Sequence, residues 1–411
     1  MSQSHDPLAA FRFRDYRLHI LALLLVATGS QMQSVAIGWE LYERTNSAFA
    51  LGMVGLVQVL PVILLTLPAG HIADRFERKY TVMWTLVLMA FCSVGLAALS
   101  QQRGSIELIY GCLFLNGVAR AFNQPAKESM LPQLVPMRLF ANAATWHSSA
   151  FQLATIVGPA LGGLLIAVQN STTAVYRTDA VLTFASFGMI ALITSRQATR
   201  STEPISLKSL AGGVKFVRHE PIILSAIALD MFAVLLGGAV TLLPIYAKDI
   251  LHVGATGLGW LRAAPSIGAV GVAIVLAYLP PIRQAGKTLL WSVAGFGAVT
   301  VIFGLSQSFW LSLLMLGLSG ALDNVSVVIR RTLVQLRTPD FLRGRVSAVN
   351  SVFISTSNEL GGFESGVAAS LLGPVTAVAA GGLGTIAVVL TITFLSPQLR
   401  RLGSLQEGHE V

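Results

Sequence analysis

The chain has 411 residues, of which 54% are hydrophobic and only 11% charged, with a formal net charge of +9 and two cysteines, and its mean hydropathy is +0.70. Soluble domains carry roughly 25% charged residues, so a water-soluble globular fold is excluded and the chain belongs in a bilayer. The basic residues lie in alternate connections between apolar runs, which excludes a nucleic-acid surface and points to the retention of short basic loops on the cytoplasmic side.

A bilayer core about 30 Å thick needs roughly 20 apolar residues per helix, and polar breaks divide the chain into twelve candidate spans. The first, near 16–41, follows Arg12, Arg14 and Arg17 and is too long for the apolar part of a cleavable signal, so it is expected to act as an uncleaved insertion signal. Gln31 and Gln33 near its middle and Trp39 further out are candidate amide and aromatic contacts for a cargo. Spans at 50–72 and 80–100 are joined by Gly70-His71-Ile72-Ala73-Asp74-Arg75-Phe76-Glu77-Arg78-Lys79, a tight turn that packs five charges into ten residues. The fourth span, 105–123, contains Arg120 and is followed by Lys127, Glu128 and Arg138; the fifth, 140–168, contains Gly158-Pro159-Ala160-Leu161-Gly162-Gly163, and the sixth is 174–195. Small residues in that fifth-span segment permit close helix approach, and the proline interrupts the backbone ladder.

The longest polar interruption, 196–221, separates six spans from six. Within it Leu207, Leu210, Val214 and Val217 recur at helical spacing among Lys208, Lys215 and Arg218, the pattern of an amphipathic helix lying on the inner membrane surface. The second half then offers spans at 222–247, 255–280, 288–306, 309–331, 346–372 and 375–396, with Arg330 and Arg331 read as part of the basic connection after the tenth. The expected domains are therefore a six-helix bundle at 1–195, a linker at 196–221 and a second six-helix bundle at 222–411, with both termini cytoplasmic.

Ionisable side chains at membrane depth cost at least ~2.5 to 3.5 kcal/mol on insertion scales, so they face a cavity or a partner and mark function by default. Asp230, Asp323, Glu359 and Glu364 are the acids of this kind singled out, and Arg120 and Arg262 the cations. Asp230, paired with Arg262 from the next span, is the first candidate for proton coupling, and Asp323 with Glu359 the second. Asn324, Asn350 and Asn358 add candidate polar contacts for a cargo, although each can equally serve as a hydrogen bond between helices. Cys92 and Cys112 lie inside apolar spans without metal-ligand spacing and read as packing residues.

The Gly-x3-Asp-Arg-x2-Arg-Lys spacing of Gly70, Asp74, Arg75, Arg78 and Lys79 resembles the loop signature of the major facilitator superfamily of secondary transporters. The Gly158-Pro159-x2-Gly162-Gly163 segment is similar to the fifth-helix motif of its antiporter branches. Ala119 to Ala126, Leu131-Pro132, Val135-Pro136, Thr338-Pro339 and Leu342 to Val346 look like the bacterial drug:proton antiporter group that includes macrolide efflux proteins and the enterobactin exporter. The resemblance implies an all-α membrane protein with twelve transmembrane helices in two bundles. It also implies a gating role in which Asp74 caps the start of the eleventh helix, expected near Arg345-Val346, and the arginines pair with acids at the end of the fourth helix, Glu128 being the partner for Arg78.

The expected activity is proton-coupled efflux of a hydrophobic or amphipathic small molecule across the bacterial inner membrane by alternating access. An importer or uniporter of the same fold is the alternative, and an integral membrane enzyme a remote one, since the seven histidines are scattered along the chain. No cofactor is expected: a phosphate-binding Gly-x4-Gly-Lys-Ser/Thr segment is absent, as is a metal motif. The expected partners are a small-molecule substrate, protons and lipid, with no nucleic acid, and the default state is a monomer because one chain supplies a complete site.

Overall fold

The computed structural model describes residues 6–75, 77–194, 207–280 and 282–404, and within helices it leaves undescribed the side chains at 66, 67, 70–75, 207–211, 213, 340, 341, 343–345, 347, 348, 351, 352 and 355. Every long element in these stretches is an α-helix. This follows from the environment: backbone groups cannot find partners in lipid, so each segment must satisfy its own hydrogen bonds. The long helices of the first half are α1 (Arg14–Thr45), α2 (Ala48–Arg75), α3 (Arg78–Gln101), α4 (Ile106–Leu134), α5 (Phe140–Gln169) and α6 (Thr173–Ala191). After a short helix α7 (Leu207–His219) come α8 (Pro221–Leu236), the three-residue α9 (Leu243–Ile245), α10 (Gly254–Tyr278), α11 (Ala285–Leu305), α12 (Phe309–Arg337), α13 (Asp340–Leu372), α14 (Pro374–Leu395) and α15 (Pro397–Arg400). Among the described residues, nine segments are long and apolar enough to cross a membrane; α4, α6 and α13 fall outside that set.

Contacts divide the chain into two compact units, one comprising 1–40 with 60–205 and the other 41–59 with 206–411. The division falls within the central linker, at 205/206, and also cuts through α1 and α2.

In the first unit, Ala10, Tyr16, Ile20 and Leu23 pack with Val82, Leu86, Met130, Leu134 and Ile190 in one apolar core. Its chain start is tied to α5: Trp146 Nε1 and Asn142 Nδ2 each donate to the Pro7 carbonyl at 2.8 Å, and Tyr16 donates to the Ala143 carbonyl at 2.8 Å.

In the second unit the expected continuous span at 222–247 is broken. Helix α8 stops at Leu236, and a 3-10 turn at Ala239–Leu242, α9 and a π-helical turn at Tyr246–Ile250 complete the crossing. Gly237 and Gly238 end α8, and other helices hold the break. A Cβ on Gly238 would lie 2.7 Å from the Gly361 carbonyl oxygen, and one on Gly361 would lie 2.8 Å from that of Val234, so α13 and the end of α8 touch backbone to backbone. Tyr246 anchors the far side by donating to the Gly304 carbonyl at 2.8 Å and packing on the Phe303 ring.

Helix α7 forms within the expected amphipathic segment, but it is not laid only on a membrane surface. Val217 is buried in a cluster with Ile223, Ile227, Val334 and Val346, with Phe216 against it, while Val214 is exposed. Three other element limits move. Helix α4 runs past Arg120 to Leu134, α12 continues to Arg337, and α13 begins at Asp340, ahead of the expected Arg345-Val346. Each extension is amphipathic at the end of a span, where polar residues on one helix face do not require the helix to stop.

Candidate functional site

The acid that organises the first unit is one the sequence pattern did not single out. Asp179, on α6, is 3% exposed. Its Oδ2 accepts from the Ser93 hydroxyl of α3 at 2.6 Å and from the Gln33 amide of α1 at 2.8 Å. The same amide nitrogen also lies 2.9 Å from Ser93 Oγ, and Asn116 Nδ2 of α4 donates to Gln33 Oε1 at 3.3 Å. Three helices thus meet at one carboxyl, and α4 joins the network through Gln33. Its Oδ1 has no hydrogen-bond partner and faces α1 where Gly29 stands, so close that a Cβ there would lie 2.3 Å away. Among the described residues no ion pair reaches Asp179, and the Thr183 hydroxyl one turn along α6 acts on it beside Ser93 and Gln33. One signal in the sequence could have found it: an aspartate two residues after Arg177 in an otherwise apolar run.

The expected partner of Asp230 is corrected. Asp230 forms an ion pair with Arg330 of α12, not with Arg262, and the two side chains are 6% and 2% exposed as residues. Arg330 is therefore not a loop residue. The extended α12 carries it into the core, where Ile329 and Leu333 flank it in the apolar cluster with Leu229 of α8. Arg262 instead interacts with Glu359 of α13. The expected Asp323–Glu359 pair is not formed either: the charges acting on Asp323 are Asp230, Arg330 and Arg331. The second unit thus brings Asp230, Asp323, Arg330 and Arg331 together, and Arg262 with Glu359. Glu364 is half-buried, with the Ser365 hydroxyl at 3.4 Å.

The gating loop is described in part. Gly70, Asp74 and Arg75 fall in the last turns of α2, where side chains lie outside the described set. Arg78 does not pair with Glu128. It donates to the Ser129 carbonyl at 2.9 Å, while Glu128 is exposed and accepts from Gln124 one turn back on its own helix. The register of α4 turns Glu128 outward, so the backbone beyond it becomes the acceptor. Lys79 donates to the Ala191 and Ile193 carbonyls at 2.8 and 2.6 Å. A cation at the end of α6 satisfies carbonyls left over by the helix and complements its dipole.

The α5 motif packs on α1. Gly158, Pro159, Gly162 and Gly163 are all buried. A Cβ on Gly158 would come within 2.6 Å of Gln31 Cβ, and one on Gly162 within 3.0 Å of Met32 Cα. Of the expected cargo contacts, Gln33 is committed to the Asp179 network, Trp39 and Gln31 are half-buried, and Asn358 donates to its own helix at the Ile354 carbonyl. Asn324 and Asn350 are half-buried, each with an amide oxygen that has no hydrogen-bond partner. Arg120 is exposed on α4 and acts on Lys127.

A model of the transmembrane secretion effector family matches residues 5–407. The chain belongs to that family of major facilitator transporters. Relatives include the enterobactin exporter EntS of Shigella boydii and of Escherichia coli O81, each 24% identical over 390 residues that cover 94% of this chain and 92% of the relative. The fold is similar to that of a bacterial homologue of the iron transporter ferroportin in an inward-facing state, with TM-score 0.73 at 17% identity, covering 95% of this chain and 99% of the other. It is also similar to a POT family transporter in complex with 5-aminolevulinic acid, with TM-score 0.74 at 11% identity and coverage of 94% and 97%. The chain is thus an all-α multi-pass membrane transporter of the major facilitator type with exporters among its relatives.

Proposed function

We propose that this transporter expels an amphipathic small molecule from the bacterial cytoplasm in exchange for protons by alternating access, as a monomer whose two six-helix halves flank the linker at 196–221. The observation that carries the coupling is Asp179. A carboxyl held by neutral donors from α1 and α3 can gain or lose a proton without breaking a salt bridge, whereas Asp230 is committed to Arg330. Each change of protonation alters how Asp179 grips Ser93 and Gln33, and so how α6 sits against α3 and α1. Asp323, set beside the Asp230–Arg330 pair, is a second exchange site in the other unit. The α2–α3 turn with Asp74, Arg75, Arg78 and Lys79 acts as the cytoplasmic gate in this reading.

The test uses inverted membrane vesicles with an acid interior, a panel of hydrophobic drugs and catechol compounds, and a pH-sensitive dye. Catechols belong in the panel because the relatives are named as enterobactin exporters. A cargo-dependent loss of the gradient that Asp179→Asn abolishes while cargo binding persists is the expected result. A gradient loss of equal size in Asp179→Asn vesicles removes Asp179 from coupling, and cargo binding without any proton movement in the parent protein favours uniport or import.

A further inference from the structure

The first unit contains a second polar cluster that the proton reading does not use. His19 of α1 and His147 of α5 stack with ring centroids 5.6 Å apart and an interplanar angle of 18°. His19 is 1% exposed, and both of its ring nitrogens lack a hydrogen-bond partner, as does Nε2 of His147. A neutral imidazole carries one N–H and one acceptor nitrogen, so a buried ring with neither satisfied is a site short of a partner. The ionised side chain acting on both rings is Lys127 of α4, and among the described residues no carboxylate is seen acting on either. Lys127 itself feels Glu128 and, less, Arg120, and Glu128 accepts from Gln124 through one oxygen. His147 and Lys127 are half-buried as residues, whereas the unpartnered nitrogens of both rings are enclosed.

We propose that His19, His147 and Lys127 form a binding site for an oxyanion, the carboxylate or phosphate of an amphipathic molecule. Its role as the head group of the cargo rests on the export reading above. Imidazole N–H groups and an ammonium are donors to such a group, and the charge of Lys127 opposes a metal cation. Among the described residues no third metal-ligating side chain joins the two histidines. The cluster lies near the start of α1, the start of α5 and the end of α4, the same end of the unit as Arg78 and its acceptor Ser129. An anion arriving from the basic-loop side would reach it first.

The purified full-length chain in nanodiscs provides the test, with salicylate as the aryl carboxylate and salicylamide as its uncharged counterpart, titrated by calorimetry. Phosphatidylglycerol retained from mixed-lipid nanodiscs, read by native mass spectrometry, distinguishes a lipid phosphate from a free ligand. His147→Phe keeps the stacked ring and removes the nitrogens. It should weaken salicylate binding, or phosphatidylglycerol retention, at least tenfold without lowering the thermal midpoint, and leave salicylamide unaffected. Lys127→Met, at a half-buried position, gives the same readout if the histidine variant does not fold. Unchanged salicylate affinity together with unchanged lipid retention in these variants overturns the site. The readout needs no proton gradient. A drop confined to the histidine and lysine variants therefore supports the anion site whatever the vesicle experiment returns.

Discussion

Asp230 and Arg330 illustrate why a single intramembrane acid is a poor guide to function. Removing one member of a buried pair leaves the other charge unpaired, at a cost of about 3 to 5 kcal/mol, whereas replacing both with apolar residues of similar volume is often neutral. Arg330→Met alone should therefore lower the thermal midpoint in detergent strongly, and adding Asp230→Leu should restore most of it. A double variant as unstable as the single one would assign the pair a role beyond mutual neutralisation. Asp179→Asn, by contrast, keeps a side chain of the same shape with an oxygen to accept from Ser93 and Gln33, and should fold with a midpoint near the parent's while losing pH-driven transport. The sequence made the presence of buried acids legible but not their partners. A pairing between helices depends on register and rotation, so Arg262, the intramembrane arginine of the next span, drew the assignment that belongs to Arg330, a hundred residues from Asp230. Asp179 escaped because Arg177 beside it made the local segment look like the polar end of a span, although Arg177 is exposed and donates to Gln101.

At the level of the helix, packing surfaces follow residue size. Gly158 and Gly162 let α5 approach the backbone of α1, so Gly162→Leu should destabilise the protein by overpacking, typically ~1 to 3 kcal/mol. Gly111 of α4 has nothing within 4 Å of an added Cβ, and Gly111→Ala should stabilise by about 0.5 to 1 kcal/mol through helix propensity. Opposite signs in thermal unfolding would confirm that contact, not glycine content, sets the response. The resemblance singled out the α5 motif before any contact was known, and its close fit against α1 explains the need for small residues without invoking an antiporter-specific role. The break after α8 was less legible. Gly237-Gly238 followed by Pro244 lies in a run apolar enough for one helix, and only the backbone contacts from α13 account for a span that stops and restarts.

Across the whole molecule, fold class and family were readable from hydropathy, loop charge and motif spacing, because a bilayer imposes length and satisfaction rules on every segment. The limits of the compact units within α1 and α2 depend on contacts that the linear order hides. Within the second unit Tyr42 donates to Asp249, Lys248 reaches Asn46 Oδ1 at 3.1 Å, and a Cβ on Gly52 would lie 2.9 Å from Gly366 Cα, fastening the α1–α2 corner to the π-turn and to α13. Tyr42→Phe removes a hydrogen bond to a charged acceptor, worth roughly 1.5 to 3 kcal/mol. It should lower the unfolding midpoint more than Lys248→Met, whose bond is exposed; equal effects would show that the corner is held by packing alone. The Asp179 network also bears on how the chain is made. Helix α6 is among those not apolar enough to qualify as a span by itself, yet Gln33, Ser93 and Asn116 all leave the ribosome before Asp179 does. The acid then enters a membrane in which its donors Gln33 and Ser93 already wait, so insertion of the sixth helix is expected to draw on the first and third. A nascent chain lacking α1 should release α6 to the aqueous side, even though no residue of α6 has changed.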